Sequence, residues 1–317
     1  MRKTFFLLLA LALQAEAETV LVTLEKDNAL AVVSGETLAL VKRVKVGRRP
    51  RDIELSPDFK KIYIAAGDDN TIQVLDALNE EVIGNLPSGE DPETFALSPD
   101  GRFMFISNED DNLVTVLDLE TGRVVKTIPV GVEPEGIAVS PDGRWLVSTT
   151  ETTNMVHWID TARLEIVHNT LVDPRPRYAA FTPDGRQLWV SSEIGGTVSV
   201  IDVATKEIVA KISFQIPGVA KSRIQPVGIA IDPKRPRAYV ALGPANRVAV
   251  VDTESRKVLR YLLTGKRVWQ LAISPDGHRL YTTNGASHDI TVIDLERLKP
   301  IKSIAVGHYP WGVAVKP

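Results

Sequence analysis

The sequence contains no cysteine among its 317 residues. Disulfides, thiolate metal sites and thioether attachment of a haem are therefore excluded, as is the lipid anchor of bacterial lipoproteins. Aromatic residues make up only 6% of the chain. Beyond the N-terminal segment, no apolar run is long enough to span a bilayer as a helix. The formal net charge is −3, so no bulk positive field attracts nucleic acid, and we expect no nucleic-acid partner.

The familiar catalytic motifs are also missing. The chain has no phosphate-cradling glycine-rich loop before a helix, no His-Glu-x-x-His and no nucleophile elbow. No pair among the five histidines has metal-ligand spacing. The sequence therefore predicts no metal site and a protein that is not an enzyme.

The N-terminal segment has the features of a secretory signal peptide. Arg2 and Lys3 supply positive charge, residues 5–13 form a short apolar core, and Ala15-Glu16-Ala17 matches the small-x-small cleavage pattern. We expect residues 1–17 to be removed and residues 18–317 to form one domain in the periplasm. No membrane span is expected after cleavage.

A proline recurs along the chain at nearly constant spacing. The interval is 42 residues at every step but one, where it is 50, and the positions are Pro57, Pro99, Pro141, Pro183, Pro233, Pro275 and Pro317. Most of these prolines lie in Ser-Pro-Asp-Gly or a close variant, in which proline presets φ and glycine accepts positive φ. The spacing indicates seven repeats, in which the proline follows the first strand.

Each repeat carries four short strand signals. In one repeat they are 136–139, 145–148, 154–160 and 164–168, all rich in Val, Ile or Trp and bounded by turn residues. Four strands in about 40 residues predict a blade of a β-propeller. The fold class is therefore all-β, a seven-bladed β-propeller with four strands per blade. A β-helix or solenoid is the rival interpretation.

The two termini complete one blade between them. The first repeat lacks its innermost strand, and the last segment, 311–315, is an innermost strand without a blade. We therefore expect 311–315 to pair with 20–24, followed by 29–33 and 38–46. A solenoid would not explain why one terminus supplies the strand that the other lacks.

The last repeat resembles the YVTN repeat. The resemblance rests on Tyr281-Thr282-Thr283-Asn284, on 290–294 and on the segments 304–307 and 310–315. Seven repeats after a signal segment are similar to the β-propellers associated with PQQ-dependent alcohol catabolism. That resemblance implies a periplasmic accessory protein, PQQ as a candidate ligand, and quinoprotein dehydrogenase or ABC transporter components as candidate partners. It supplies no catalytic residues.

At one loop position the residue type changes from repeat to repeat, and the residues found there indicate a binding site. The residue after the start of each predicted innermost strand is Arg51, Glu93, Glu135, Arg177, Val227, Trp269 and Trp311 in turn. These loops should converge on one mouth of the central channel. Arg51, Arg177, Trp269 and Trp311 are therefore predicted to bind an anionic, planar small molecule. The alternative is that they are solvated loop charges and packed tryptophans.

Two further departures from the repeat bear on that mouth. Glu54 stands where the other six repeats have alanine. A local ion pair with Arg51 and Asp52 is expected, and the alternative is that Glu54 belongs to the ligand-binding site. An insertion at 214–225 contains Lys221 and Arg223, which we expect to close over the ligand as a lid or to dock a partner.

The leading hypothesis for function is a non-catalytic binding or accessory protein in PQQ-dependent alcohol catabolism. The alternatives are a propeller enzyme, such as a lactonase or a dehydrogenase subunit, and a docking scaffold without a small-molecule ligand. An enzyme should show convergent titratable groups with shifted pKa values at one mouth. A scaffold should show an exposed apolar patch instead.

Overall fold

The structure is a computed structural model, and it describes residues 18–317. The predicted signal peptide, residues 1–17, lies outside the described residues. Within 18–317 the chain forms seven four-stranded antiparallel sheets arranged as the blades of a propeller. The predicted fold class is confirmed.

The strands follow one another with little else between them. In chain order they are β1 (Thr19–Leu24), β2 (Ala29–Ser34), β3 (Ala39–Lys45), β4 (Pro50–Leu55), β5 (Lys61–Ala66), β6 (Thr71–Asp76), β7 (Val82–Pro87), β8 (Pro92–Leu97), β9 (Phe103–Asn108), β10 (Leu113–Asp118), β11 (Arg123–Pro129), β12 (Pro134–Val139), β13 (Trp145–Thr150) and β14 (Met155–Asp160). The second half comprises β15 (Glu165–Leu171), β16 (Pro176–Phe181), β17 (Gln187–Ser192), β18 (Thr197–Asp202), β19 (Ile208–Ser213), β20 (Ile229–Ile231), β21 (Arg237–Ala241), β22 (Arg247–Asp252), β23 (Val258–Leu263), β24 (Val268–Ile273), β25 (Arg279–Asn284), β26 (Asp289–Asp294), β27 (Lys299–Ala305) and β28 (Pro310–Lys316).

Two single-turn 3₁₀ segments, at Gly67–Asp69 and Lys221–Arg223, are the helical elements of the described residues. No helix in 18–317 is both long and apolar enough to cross a membrane.

The ring closes as the termini predict. The sheet order β28-β1-β2-β3 joins the last strand to the first three, with Val20 opposite Val315 and Leu21 opposite Ala314. The other six blades are continuous in sequence. Because the innermost edge of this blade is paired, the closing sheet exposes no open strand to the channel.

The recurring Ser-Pro-Asp turns are held by local hydrogen bonds. Ser98 Oγ donates to Asp100 Oδ1 at 2.5 Å, and the backbone N–H of Arg102 donates to the same oxygen at 3.1 Å. Ser140 and Asp142 repeat this arrangement. The aspartates of these turns thus bind their own backbone, which is the role that the turn chemistry predicts.

The core consists of separate apolar clusters, most of them spanning two adjacent blades. One joins Trp158 of β14 to Leu188 and Val190 of β17. Threonines on the second strands add polar links between blades. Thr283 Oγ1 donates to the carbonyl of Trp311 at 2.6 Å and accepts from the N–H of Gln270. These links hold the entries of neighbouring innermost strands in register at one end of the channel.

Candidate functional site at the channel mouth

The loops that enter the innermost strands converge on one mouth, as expected. Arg51 begins β4 and lies over the indole of Trp311 on β28, with its Cζ 4.6 Å from the ring centroid. Arg177 lies over Trp269 at 5.7 Å, and Arg267 lies over the same ring at 4.3 Å. The structure therefore brings Arg51, Arg177, Trp269 and Trp311 together.

Both central arginines are buried and paired with glutamates of the protein. Arg51 Nη2 lies 2.5 Å from Glu93 Oε2, and Arg51 Nη1 lies 3.2 Å from Glu25 Oε2. Arg177 Nη2 lies 2.9 Å from Glu135 Oε1, and its Nη1 also pairs with Glu151. The side chain of Glu93 is fully inaccessible to solvent. Desolvated ion pairs of this kind fix geometry strongly, because losing one partner leaves a buried charge.

Four glutamates that were not among the predicted site residues also belong to the mouth, and each follows the second strand of its blade. They are Glu25, Glu109, Glu151 and Glu193. Glu109, Glu151 and Glu193 are spaced by 42 residues, and Glu25 is in register with them across one repeat that has Gly67 instead. That periodicity was available in the sequence and points to a shared structural position.

A second tier of arginines surrounds the first. Arg49 Nη1 lies 2.6 Å from Asp91 Oδ1, Arg175 Nε lies 2.7 Å from Glu151 Oε2, and Arg267 Nη2 lies 2.9 Å from Glu193 Oε1. We call the whole set the mouth cluster: Arg49, Arg51, Arg175, Arg177, Arg267, Glu25, Asp91, Glu93, Glu109, Glu135, Glu151 and Glu193. Carboxylates of the protein already form ion pairs with these guanidinium groups. The cluster therefore has less unpaired positive charge for an anionic ligand than the arginines of the loops led us to expect.

The burial of the mouth cluster shifts carboxyl pKa values in opposite directions. Burial alone would raise the pKa of Glu93, but Arg51 and then Arg49 lower it, so this carboxylate is ionised. Burial and the charge of Glu93 raise the pKa of its neighbour Glu109 to about 8. Burial also raises the pKa of Glu135 well above its ordinary value, against the effect of Arg177. Glu109 therefore holds a proton at neutral pH beside an ionised partner.

Two buried polar atoms of the mouth have no partner among residues 18–317. They are Glu135 Oε2 and Trp311 Nε1. An acceptor or donor left without a bond in the interior is costly, so each is a place where a water or a polar group of a ligand can bind.

One group of carboxylates in the described chain could in principle hold a metal ion. Oxygens of Asp91, Glu93 and Glu109 lie within 4.8 Å of one another. Arg49 and Arg51 already place guanidinium groups against Asp91 and Glu93. The protein thus supplies its own cations at this position.

Deeper in the channel lies a second group, Asp52, Glu54 and Tyr178, which we call the channel site. Asp52 and Glu54 are two residues apart on β4 and so project to one side of the strand. Tyr178 lies on β16, three blades away. All three sit on innermost strands and keep partial exposure, which the central channel provides.

Burial raises the pKa of all three groups in the channel site. Burial raises the pKa of Asp52 to about 6, although the N–H groups of Phe95 and Ile53 hydrogen-bond its carboxylate at 3.1 and 3.0 Å. Burial and then the charge of Asp52 raise the pKa of Glu54 well above its ordinary value. Burial, Asp52 and Glu54 together raise the pKa of Tyr178. With a pKa of about 6, Asp52 is mostly ionised at pH 7, whereas the shifts of Glu54 and Tyr178 favour their uncharged forms.

The expected ion pair of Glu54 is absent from the described residues. Arg51 instead pairs with Glu25 and Glu93, because its side chain points to the mouth while Glu54 projects into the channel. Asp52, the other expected partner, is itself a carboxyl group and so disfavours the ionised form of Glu54.

Lys221 and Arg223 do not close over the arginines of the mouth. Arg223 Nη2 donates to the carbonyl of Pro244 at 2.9 Å, and Lys221 lines a groove within its own insertion with Phe214 and Ile224. The contact from the insertion to the mouth cluster is made by Gln225, whose Oε1 accepts from Arg267 at 3.2 Å.

Comparison with known proteins supports the fold and widens the range of functions. The family model described as Cytochrome D1 heme domain matches residues 59–177. Hydrazine synthase from Kuenenia stuttgartiensis is 23% identical, covering 83% of this chain and 88% of that chain, with a TM-score of 0.75. No curated protein matches the sequence significantly.

Two further solved structures are similar along most of this chain. A provisionally assigned 6-phosphogluconolactonase from Bacteroides fragilis is 18% identical, covering 96% of this chain and 99% of that chain, with a TM-score of 0.80. Dihydro-heme d1 dehydrogenase NirN, in complex with DHE, is 16% identical over 93% of this chain and 74% of that chain, at a TM-score of 0.71. At these identities the likeness establishes the propeller fold.

Enzymes share this fold. The expectation that the chain is not an enzyme is therefore wrong, because it rested on missing motifs, and the similar structures include a dehydrogenase. The described mouth and channel also bring together carboxyl groups whose pKa values are raised by burial, the feature expected above of an enzyme.

Proposed function

We propose that this chain is a propeller enzyme that catalyses acid–base hydrolysis of a cyclic ester, a lactone, in its central channel. The observation that carries the proposal is the placement of Asp52 and Glu54 two residues apart on the innermost strand β4, where burial raises both carboxyl pKa values and the charge of Asp52 raises that of Glu54 further. Carboxyl groups whose environments separate their pKa values in this way are the usual acid and base of such chemistry. The likeness to the B. fragilis protein over nearly all of both chains supports the choice of a lactone.

In the proposed reaction Asp52 acts as the general base. It removes a proton from a water molecule, and the resulting hydroxide adds to the lactone carbonyl carbon. The phenol of Tyr178 donates a hydrogen bond to the carbonyl oxygen as negative charge develops there. The ring C–O bond then breaks, and Glu54 gives its proton to the leaving alkoxide. Transfer of the proton from Asp52 to Glu54 through solvent restores the starting state.

The mouth cluster has a supporting role in this proposal. Arg51 is held between Glu25 and Glu93 immediately before Asp52 in the chain. Its pairing fixes the start of β4. Burial raises the pKa of Asp52 most, the N–H groups of Phe95 and Ile53 oppose that rise, and the smaller opposing effects of Glu93 and Arg51 come from the mouth.

The test is hydrolysis of a panel of simple five- and six-membered lactones by the purified protein, followed by titration of released acid. Asp52→Asn should lower kcat/KM about 100-fold or more, the usual size of a general-base contribution. Asp110→Asn, which removes an exposed carboxylate of a neighbouring rim loop, should leave the rate unchanged. Wild-type kcat/KM should rise as pH increases through about 6, where Asp52 ionises.

Two outcomes would remove the proposal. One is the absence of lactone hydrolysis at any pH between 5 and 9. The other is hydrolysis that Asp52→Asn and Asp110→Asn reduce equally, because that result would locate the chemistry outside the channel.

A second candidate is a dehydrogenase subunit that binds a tetrapyrrole at the same mouth. It is favoured by the Cytochrome D1 heme domain match and by the likeness to NirN. The histidines nearest the closing strand, His288 and His308, have ring centroids 5.0 Å apart, and imidazole is a common axial ligand of haem iron. A titration with haem, followed by its visible spectrum in the wild type and in His288→Ala, tests this candidate.

The narrower predictions from the YVTN resemblance concern location, ligand and partners. We infer a periplasmic location from the N-terminal pattern. PQQ remains a candidate ligand of Arg51, Arg177, Trp269 and Trp311, and quinoprotein dehydrogenase or ABC transporter components remain candidate partners. Calorimetric titration of residues 18–317 with PQQ tests the ligand. Heat that does not exceed the heat of dilution would exclude PQQ as a ligand of these four residues.

A further inference from the structure

The face opposite the mouth carries two basic side chains on one indole. Arg144 and Trp145 lie where the Ser-Pro-Asp turn enters β13, and Lys206 lies in the hairpin between β18 and β19 of the next blade. Lys206 Nζ is 4.0 Å from the centroid of the Trp145 ring, and Arg144 Cζ is 4.7 Å from it. Two positive groups are thus held within a few ångströms of the same ring.

These two cations differ from the basic residue at the preceding junction, Arg102, which pairs with Asp118. Across residues 18–317 neither Arg144 nor Lys206 forms an ion pair with an Asp or Glu side chain. The nearby carboxylates are used by their own turns. Asp142 accepts from Ser140 and from the N–H of Arg144, and Asp202 accepts from Thr205. Both carboxylates keep their negative charge and line the same groove as the two cations, so they offset part of the positive charge at this junction.

The equivalent junction one blade earlier packs without two cations on one aromatic ring. Arg102 occupies the position of Arg144, stacks on Phe103 at 4.9 Å and pairs with Asp118 at 3.4 Å. Leu164 takes the place of Lys206 and packs in the same apolar cluster as Phe103. An apolar residue and a paired arginine thus complete the same junction one blade earlier.

The position of Lys206 is set by the backbone. Its φ is +61°, and its carbonyl accepts from Thr170 Oγ1 at 2.9 Å. Thr170 in turn accepts from the indole N–H of Trp158 at 3.0 Å. The lysine is therefore presented at the ring by a fixed hairpin. Burial is the larger cause of the lowered pKa of Lys206, and the charge of Arg144 lowers it further.

We propose that Arg144 and Lys206 form a binding site for an oxyanion, a phosphate or carboxylate group, on the face opposite the channel mouth. The two groups and Trp145 line one groove together with Arg186, and these three basic side chains outnumber the two acidic ones there, Asp142 and Asp202. Oxygens of an anion accept from ammonium and guanidinium donors at about 2.8 Å, and one oxyanion can contact both groups. Its charge would neutralise the repulsion between them. This site is independent of the chemistry in the channel.

The first test is calorimetric titration of the purified protein with inorganic phosphate and, separately, with citrate. We expect saturable binding of at least one, with a Kd on the order of 1 mM or tighter at low salt, and weaker binding as salt is added. Lys206→Met and Arg144→Gln should each weaken binding at least fivefold. Lys206→Leu, which copies the Leu164 junction, guards against a folding defect and should behave like Lys206→Met.

The matched control is Arg102→Gln, which removes the same charge from the equivalent position of the preceding blade. It should leave the affinity unchanged, because Arg102 is already paired with Asp118. Binding of phosphate alone would assign the site to phosphate, and binding of citrate alone would assign it to carboxylates. Absence of saturation with both anions, or an equal loss in Arg102→Gln and Lys206→Met, would overturn the proposal.

Discussion

The guanidinium of Arg51 lies 4.6 Å from the ring centroid of Trp311. Arg51 begins the inner strand of the first continuous blade, and Trp311 belongs to the last strand of the chain. Their contact therefore crosses the point at which the ring closes. It joins a buried tryptophan to an arginine that is also held by Glu25 and Glu93, so closure and mouth geometry depend on the same residues.

Trp311→Ala should destabilise the protein by about 3–5 kcal/mol, the usual cost of removing a buried large aromatic side chain. Trp311 is only 1% exposed, and its loss would leave a cavity beside Arg51. Trp269→Ala, which truncates a partly exposed tryptophan in the neighbouring blade, should cost clearly less. Urea unfolding at pH 7 measures both. If the two variants lost the same free energy of unfolding, Trp311 would contribute no more to stability than Trp269 does.

Arg177→Ala should cost about 3–5 kcal/mol, because it leaves the buried Glu135 and Glu151 without their shared partner. Arg186→Ala is the matched control. Arg186 is 85% exposed, and its removal should change stability by no more than about 0.5 kcal/mol. Chemical unfolding of the two variants compares them directly. A small effect of Arg177→Ala would mean that water solvates the mouth carboxylates.

The pH dependence of stability should carry the signature of Glu109. Its pKa is raised to about 8 in the folded protein, from an ordinary value of 4.5. Between those two values the folded state holds a proton that the unfolded chain releases, so this group makes stability fall as pH rises through that window. Above about 8 both states are ionised and the slope from this group ends.

Glu109→Gln should flatten that slope between pH 5 and 8, and Glu90→Gln, an exposed acid of a nearby loop, should not. Unfolding free energies measured at several pH values for the three proteins test this. If Glu109→Gln and the wild type had the same slope, the proton would not reside on Glu109.

Glu54→Ala should raise stability at pH 7 by about 1 kcal/mol or more, because it removes a carboxyl group from a poorly solvated position. The substitution installs the residue that stands at this place in the other six repeats. The same change should abolish most lactone hydrolysis, since Glu54 is the proposed acid. Such opposite effects on stability and activity are typical of functional residues. A destabilised Glu54→Ala protein would show that the carboxyl group is held by favourable contacts.

Glu54→Gln separates shape from acidity in this experiment. It keeps the size and hydrogen-bonding capacity of the side chain but cannot give a proton to an alkoxide. Activity retained in Glu54→Gln and lost in Glu54→Ala would reassign Glu54 from acid to hydrogen-bond donor.

The sequence by itself determined the architecture. Six of the seven recurring prolines mark turns and the seventh ends the chain, and the turns are stabilised by contacts within a few residues, as Ser98 and Asp100 show. Such local chemistry is readable without a structure. The missing inner strand at one terminus and the spare strand at the other also predicted the β28–β1 pairing. The convergence of Arg51 and Trp311 followed from their shared repeat position.

Only the tertiary structure decided the electrostatics of the site. Glu109 and Glu151 recur at the repeat spacing, yet their pairing depends on loops of different strands and blades meeting at the mouth. The raised pKa of Asp52 comes from burial in the channel, and Lys206 reaches Trp145 across a blade junction. Ion pairs and burial are set by distances between residues far apart in the chain, and sequence spacing does not encode those distances.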